Sequence, residues 1–578
     1  MATKLREKLS EFSHNRWLVF VAAIWIQSFA GIGYLFGSIS PVIKRSLNYN
    51  QKQISQLAVA KNLGDSVGFL AGTLCEILPM WGALLIGAMQ NIFGYGLVWL
   101  IVTGKFPAPP LWAMCAFVFV GTNGETYYNT AALVSCVQNF PKSRGPIVGI
   151  LKGFAGLSGA IITQIYATFN FPDHASLIFI MAVGPFMVVI SLLFIVRPVG
   201  GHRQMRPSDD ASFTFVYSVC LLLASYLMAV MLVQDIISLH QSVIILFTCV
   251  LFFLLLIPVI IPITLSFAQS PEASDEPLLR SESRPELILS EVEDEKPTDL
   301  DLLPASERHK RISQLQSKLV QAAAEGAVRI KKRNRPRRGE DFTLTQALVK
   351  ADFWLIFFSL VLGSGTGVTV IDSLGQISQS LGYDNPQILV SIISIWNFLG
   401  RFGGGYISEK IVKNYAYPRP LALMCAQLMM SVGHVCTAFG WPGALYVSTF
   451  IVGVGYGAHW AVVPATTSEL FGLKKFGSLY NFLTLANPLG SFLFNSLLSS
   501  SIYDYEAEKQ ARDRHSPPAF GAARGVGVDQ DMACVGAVCY FMTSLIMAGV
   551  CVIAALLSFI LMRRTRNVYA SLYGNTRV

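Results

Sequence analysis

The sequence has 578 residues, of which 53% are hydrophobic and 14% are charged, and its mean hydropathy is +0.51. Soluble domains carry about 25% charged residues, whereas a membrane-spanning helix needs about 20 mostly apolar residues. The composition therefore excludes a soluble enzyme, a disordered protein and a collagen-like chain. Ten cysteines in a chain of this length are too few for a disulfide scaffold, and most of them lie inside apolar runs.

Apolar runs follow a polar, basic start and recur along the whole chain. Each run is bounded by Pro, Gly or charged residues, as expected for membrane-spanning helices. The runs predict about 14 spans, at 17–38, 54–76, 81–102, 111–139, 146–169, 176–196, 213–234, 241–266, 352–375, 387–408, 419–440, 443–467, 477–500 and 536–562.

The distribution of Lys and Arg predicts the orientation of these spans. Most of the basic residues outside the spans fall in segments that would share the side of the N-terminus, which the positive-inside rule assigns to the cytoplasm. A cluster of Lys44, Arg45 and Lys52 on the opposite side is an exception. The net charge of +9 therefore reflects membrane topology, and we expect no nucleic-acid partner.

One long polar segment, 267–347, divides the chain. Residues 272–307 contain twelve acids and three Lys or Arg, and residues 308–338 contain eleven Lys or Arg and one acid. Such blocks predict a disordered cytoplasmic linker, which could bind sorting or regulatory partners. An alternative is a short helix on the membrane surface, because Ile312, Leu315 and Leu319 recur at helical spacing among basic residues.

The two sides of the linker contain an internal repeat. Residues 31–54 align without a gap to residues 365–388, with two glycines and Ser, Leu, Tyr, Gln and Ile in the same places. The fold class is therefore predicted as an all-α polytopic membrane protein with two parallel six-helix bundles, the architecture of the major facilitator fold, and about two extra helices between them. The predicted divisions are a cytoplasmic N-terminus 1–16, a first bundle 17–196, two additional helices 197–266, the linker 267–347, a second bundle 348–562 and a cytoplasmic tail 563–578.

Three segments of the first half carry a family resemblance. Residues 34–44, 121–141 and 143–153 read YLFGSISPVIK, GTNGETYYNTAALVSCVQNFP and SRGPIVGILKG. With them the first half resembles the plant nodulin-like branch of the major facilitator superfamily. This resemblance implies a membrane transporter without naming its solute. We expect a multi-pass protein of the plasma membrane or the vacuolar membrane.

A looser resemblance concerns the eighth core helix. Arg401, Gly405 and Glu409 recur at four-residue spacing, which is similar to monocarboxylate and oxalate carriers and implies that Arg401 binds an organic anion. The chain has Asn397 where the monocarboxylate carriers have Asp, so the proton-coupling role of that position is not carried over. It also lacks the Lys that oxalate carriers have within the eleventh core helix.

Ionisable residues at membrane depth are the candidates for chemistry, because a charge at the centre of a spanning helix costs about 2.5–3.5 kcal/mol on insertion scales. Glu125 lies near the middle of the fourth span, and Tyr128 and Asn129 share its helix face. Such an acid could exchange a proton with a solute pathway, or it could stay protonated between helices. Arg401 could bind a carboxylate through two parallel hydrogen bonds, or it could form a structural ion pair.

Further candidates lie on the other spans. His459, three residues after Tyr456, could bind a solute or pack as a neutral side chain, and Asp372 lies towards the outer end of the seventh core helix. Lys61 and Asp65, four residues apart, are expected to pair with each other. The predicted solute-binding residues are Arg401, Glu125, Tyr128, Asn129, His459, Tyr456 and Gln27, and the predicted proton-coupling residues are Glu125 and Asp372.

These observations predict a secondary carrier that moves a small polar solute by alternating access, with an organic anion as the candidate solute and a proton as the candidate coupling ion. The alternative is a non-transporting membrane sensor or scaffold that acts through its cytoplasmic linker. The sequence contains no phosphate-binding glycine loop, no Cys/His cluster with metal-ligand spacing and no convincing nucleophile motif. We therefore expect no enzymatic activity, no cofactor and no metal, and the expected partners are a small solute and the lipid bilayer.

Overall fold

The computed structural model describes residues 12–265, 338–515 and 534–573, apart from short gaps at 13, 69–70, 72–73, 76–77, 141–143, 170–174, 200–206, 238, 384 and 473–474. These residues are mostly helical. The principal helices are α1 (Arg16–Gln27), α2 (Phe36–Leu47), α3 (Gln51–Ser66), α4 (Met80–Val102), α5 (Leu111–Asn139), α6 (Arg144–Phe169), α7 (Ala175–Leu192), α8 (Pro207–Ile236), α9 (Gln241–Leu256), α10 (Ala351–Ser380), α11 (Pro386–Tyr415), α12 (Pro420–Phe439), α13 (Ala444–Phe471), α14 (Phe476–Thr484), α15 (Ser500–His515) and α16 (Val538–Tyr573). Short helical segments also occur at Ile32–Leu35, Ile257–Val259, Ile260–Ile263, Leu344–Leu348, Ala486–Gly490 and Ser491–Ser499.

Within the described residues, eleven helical stretches are long and apolar enough to cross a membrane. The predicted spans at 54–76, 111–139 and 477–500 are not among them. They correspond to α3, to α5 and to the chain from α14 to Ser499, and these elements are either rich in polar residues or interrupted. Hydropathy identifies helices that face lipid, and it underestimates helices that line a polar interior.

The first span of each half faces the other half. In the N-terminal half this span is interrupted: α1 ends at Gln27, a 3₁₀ turn occupies Ile32–Leu35, and α2 follows. Gly31 at the interruption packs directly against α6, since a Cβ atom there would lie 2.0 Å from the carbonyl oxygen of Ala155. Only glycine allows this close approach, which fixes the irregular segment against the bundle.

The helices α8 and α9 pack against α6, α1 and α11, on the outside of the two bundles. Buried polar contacts attach them to the N-terminal half. The Arg16 guanidinium donates to both oxygens of Asp209 at 2.7 and 2.9 Å, and Gln164 Nε2 donates to Thr248 Oγ1 at 3.1 Å. The contact with α11 includes an edge-to-face pair between Tyr217 and Phe402.

The last part of the predicted linker is ordered against the C-terminal half. The Phe342 amide donates to the Phe471 carbonyl at 3.0 Å, and the Phe342 side chain is fully buried. The predicted N-terminus 1–16 is described only at 12 and 14–16. Residues 266–337, including the alternative surface helix around Ile312, and the end of the predicted tail lie outside the described residues.

The side predicted to face outward contains a disulfide between Cys534 and Cys539, just before and at the start of α16. The same side contains the basic cluster of Lys44, Arg45 and Lys52, which is the exception to the positive-inside rule. Lys44 lies over the ring of Tyr503, 4.4 Å from its centroid, and α15 beside it carries several acidic residues. Lys44 therefore lies beside α15 of the other half, and the Lys52 amide donates to Asp504 of the same helix at 3.3 Å.

Candidate functional site

The two halves enclose a cavity of 610 Å³ at their interface. Its wall comes from the interrupted first helix, α3, α5 and α6 of one half and from α10, α11, α13 and α14 of the other. Cavities that bind small molecules commonly measure about 300–1,000 Å³. The lining runs from Gly33 and Val368 at mid-depth to Gln138 and Phe476 near the helix ends on the predicted cytoplasmic side. The cavity therefore extends towards that side.

The opposite, predicted outer side is closed by direct contact between α2 and α10. A Cβ atom on Gly375 would lie 1.9 Å from the Gly37 carbonyl oxygen, and one on Gly37 would lie 2.6 Å from the Ile371 carbonyl oxygen. Gln376 Nε2 donates to Ser40 Oγ at 2.8 Å across the same contact. The two backbones touch here, so this end of the cavity admits no solute.

Two cations form one wall of the cavity, where α6 packs against α11. The Arg401 guanidinium donates through Nη1 to the Lys152 carbonyl at 3.0 Å, through Nε to Asn397 Oδ1 at 3.2 Å and through Nη2 to the Tyr34 hydroxyl. Lys152 Nζ lies 3.5 Å from Asn129 Oδ1. Every one of these acceptors is uncharged. Among the residues described here, neither cation has a carboxylate partner.

Glu125 stabilises the interruption of the first helix. Its Oε1 atom accepts a hydrogen bond from the Gly33 amide at 3.0 Å, and the side chain is buried although it reaches the cavity wall. An interrupted helix leaves backbone amides without partners, and a carboxylate is a suitable acceptor for them. Glu125 is thus placed between the cavity and the irregular backbone.

A buried ion pair joins the two halves above the cavity, on the closed side. Lys61 Nζ lies 2.5 Å from Asp372 Oδ1, and Asn62 Nδ2 donates to Asp372 Oδ2 at 2.7 Å. The prediction that Lys61 pairs with Asp65 is wrong, because Asp372 of the other half lies within contact and Asp65 instead lines the cavity as an exposed side chain.

The structure brings together only part of the predicted site. Arg401, Glu125, Asn129 and Tyr456 line the cavity. The other predicted residues do not line it: Asp372 lies in the outer closure, and Tyr128, His459 and Gln27 are fully buried elsewhere.

Those three buried residues have surroundings of their own. Tyr128 points to α4, where it would meet a Cβ atom on Gly87. His459 Nδ1 lies 2.7 Å from the Gly455 carbonyl, and its Nε2 lies 3.2 Å from Gln427 Nε2, so it packs inside the C-terminal half. The amide of Gln27 has no hydrogen-bond partner among the described residues.

Sequence reasoning missed Lys152 as a cavity residue. It lies inside the apolar run 146–169, in a motif that served only to recognise the family. The available signal was the same one that identified Arg401, namely a basic residue at membrane depth. No pattern in the sequence indicates the contact between Lys61 and Asp372, because the two residues are 311 positions apart.

The helices and their arrangement define a multi-pass membrane protein with the major facilitator fold. A solved bacterial homologue of the human lysosomal transporter Spinster, in an inward-facing and unoccupied conformation, superposes with a TM-score of 0.51 at 13% identity. The match covers 96% of this chain and 98% of that chain. At this identity the similarity concerns the fold alone.

Two segments of the sequence match known family models. Residues 16–263 match the model of the Nodulin-like family, and residues 339–514 match the model of the NFD4 C-terminal domain. The resemblance to the nodulin-like branch is thereby confirmed.

Full-length and partial relatives agree with this assignment. Protein NUCLEAR FUSION DEFECTIVE 4 of Arabidopsis thaliana is 25% identical over 563 residues, covering 96% of this chain and 90% of that protein. The uncharacterized MFS-type transporter YhjX of Escherichia coli K12 is 27% identical over 157 residues, or 26% of this chain and 38% of that protein.

Proposed function

We propose that the protein is a secondary active carrier that moves a small organic anion across the membrane by alternating access, coupled to protons. The observation that carries this proposal is the cationic wall formed by Arg401 and Lys152, which has no carboxylate partner among the described residues. Unpaired charge at membrane depth is rare and marks solute or ion pathways.

An anion at this wall can replace uncharged hydrogen-bond acceptors by negatively charged ones. The Arg401 guanidinium presents two parallel N–H groups that match a carboxylate. Among the described residues it donates to an amide oxygen, a carbonyl and a hydroxyl. A carboxylate adds the attraction of opposite charges to these hydrogen bonds and can accept two of them in parallel. A bound carboxylate therefore stabilises the site.

The wall combines residues of both halves, which links solute binding to movement of the halves. Lys152 and Tyr34 belong to the N-terminal half, and Arg401 and Tyr456 belong to the C-terminal half. A solute held by both halves favours the arrangement in which its ligands approach each other. In major facilitator carriers the halves rock around such a central site.

For proton coupling we propose Glu125 and Asp372. Glu125 reaches the cavity and also holds the Gly33 amide at the interruption of the first helix. Protonation would remove the negative charge that attracts this amide. Asp372 is the acid of the outer closure, and its protonation would weaken the ion pair with Lys61. The carrier is proposed to reside in the plasma membrane or the vacuolar membrane, which a fluorescent fusion of the full chain can decide.

The test is uptake of labelled carboxylates into proteoliposomes that contain the full chain, with and without a pH gradient. Arg401→Lys keeps the charge but loses the two-point geometry, so we expect the KM for a carboxylate to rise about tenfold. Arg401→Gln should abolish uptake. The matched control is Arg512→Gln, since Arg512 is an exposed residue of α15.

Full uptake of carboxylates by both Arg401 variants would reject the anion-binding role. Binding of carboxylates without any uptake would favour the sensor alternative instead.

A further inference from the structure

The cavity contains a carboxylate that forms no hydrogen bond and no ion pair with the described residues. Asp65 lies on α3, lines the cavity and is exposed there. Lys61, one helical turn before it, is engaged by Asp372 at 2.5 Å. Within the described part of the chain, no hydrogen bond or ion pair reaches the Asp65 carboxylate, and Asp65 has an open path to any solute in the cavity.

Asp65 and the two cations lie on different walls. The α3 wall packs against the chain around α14, where Ser66 Oγ lies 3.4 Å from the Thr484 carbonyl. The cationic wall lies where α6 packs against α11, through the bond from Arg401 to the Lys152 carbonyl. The charges of these three side chains are therefore polarised, with Asp65 at one seam between the halves and both cations at the other.

From this polarity we infer that the solute is zwitterionic, with a carboxylate for Arg401 and Lys152 and an ammonium group for Asp65. A solute that carries only carboxylates would bring more negative charge into the cavity that already holds Asp65, and like charges repel most where water is restricted. An ammonium group at the opposite end of the solute removes that repulsion and donates hydrogen bonds to the free carboxylate.

The inferred class is thus a small amino acid or a related molecule with both groups. This inference rests on the proposed carrier function, because it assumes that the carboxylate binds at the Arg401 wall. The cavity volume of 610 Å³ leaves room for a small solute together with water.

A set of three-carbon compounds tests the inference with the full chain in proteoliposomes. Propionate carries a carboxylate, malonate carries two, alanine and β-alanine carry a carboxylate and an ammonium group, and propylamine carries an amine alone. We expect alanine or β-alanine to compete at least tenfold more strongly than propionate for the uptake of a labelled carboxylate. Malonate and propylamine should compete weakly.

The role of Asp65 is tested by the ratio between the inhibition constants of propionate and of the zwitterion. In Asp65→Asn, the inhibition constants of the zwitterion and of propionate should approach each other to within about twofold. In Asp65→Glu, which keeps the charge, the preference should persist. The matched control is Asp513→Asn on the exposed part of α15, which should leave the ratio unchanged. Thermal unfolding of each purified variant verifies that it is folded.

Two failures can be told apart. If carboxylates are transported and depend on Arg401, but zwitterions compete no better than propionate or the ratio survives Asp65→Asn, the inference is wrong and the carrier function stands. If none of the carboxylate-bearing compounds is bound or transported, the proposed function and the inference both fail.

Discussion

The ion pair between Lys61 and Asp372 gives a sharp test of how the cavity is closed. Its side chains are 5% and 0% exposed, and it joins α3 of one half to α10 of the other. The pair exists only while the halves touch on the predicted outer side. Removing one partner therefore destabilises the closed arrangement specifically, because the remaining charge stays buried without compensation only in that arrangement.

The size of the effect follows from the burial. Breaking a buried ion pair by removing one partner costs about 3–5 kcal/mol. For Asp372→Asn we take the lower value of about 3 kcal/mol, since the amide keeps one acceptor oxygen near Lys61. With 1.4 kcal/mol per factor of ten, the ratio of outward-open to closed molecules should rise about 100-fold. The double variant Lys61→Met with Asp372→Leu should return close to the original ratio, because apolar pairs can replace buried ion pairs at little cost.

The assay is the labelling rate of a cysteine placed in the seam. Ser55 on α3 is 1% exposed and faces Asn495 of the other half, with 3.2 Å between Ser55 Oγ and Asn495 Oδ1. A membrane-impermeant maleimide added from outside should label Ser55→Cys about 100-fold faster in the single variants. The background should lack Cys249 and Cys425, the exposed free cysteines of the described residues.

The control is Asp209→Asn, which breaks the buried pair with Arg16 that does not cross between the halves. It should leave the labelling rate of Ser55→Cys unchanged. Unchanged labelling in both Asp372→Asn and Lys61→Met would refute the reasoning, since the pair would then contribute nothing to closure.

Four further predictions follow from other parts of the chain. Glu125→Gln should abolish pH-driven accumulation of solute and spare solute exchange, and surviving uphill uptake would move the coupling elsewhere. Cysteines placed in 267–347 should be labelled only after the membrane is permeabilised, and cysteines in 502–515 should be labelled from outside without that treatment. Burial raises the pKa of the Asp504 carboxyl, although this carboxyl accepts hydrogen bonds from the Gln51 and Lys52 amides. The closed arrangement therefore binds a proton at Asp504 more tightly than the open arrangement does. Closure should strengthen as the external pH falls towards that pKa, and Asp504→Asn should remove this dependence. Gly375→Ala should weaken outer closure because its Cβ atom would lie 1.9 Å from a backbone oxygen, whereas Gly549→Ala, which meets nothing within 4 Å, should not.

The sequence predicts eleven of its fourteen spans as the long apolar helices that the described residues contain, because lipid-facing helices have to be long and apolar. It predicts less about the site, since burial is a property of the assembled halves. His459 and Glu125 look alike in sequence, as single ionisable residues within a span. The fold turns Glu125 to the cavity and His459 towards Gln427. A helix of this length has side chains all around its axis, and the sequence alone does not say which of them face the cavity.

Contacts across the halves are the least accessible to sequence reasoning. Lys61 has an acid four residues away, and local geometry alone favours that partner. The nearest carboxylate in the structure comes from α10. A buried partner at 2.5 Å outweighs an exposed one on the same helix, because charges attract more strongly where water is excluded.

The repeat explains why the halves can touch so closely at the outer closure. In the ungapped alignment of 31–54 with 365–388, Gly37 corresponds to Ile371 and Pro41 corresponds to Gly375. In the structure these counterparts contact each other: a Cβ atom on Gly37 would lie 2.6 Å from the Ile371 carbonyl oxygen, and one on Gly375 would lie 3.0 Å from Pro41 Cγ. When two parallel repeats are related by an axis along the membrane normal, only residues near that axis can meet their own counterparts. The axis therefore passes through the crossing of α2 and α10. A small residue in each pair lets the backbones meet there, and the ion pair of Asp372 lies beside this crossing, where a change in charge acts on the contact that has to open.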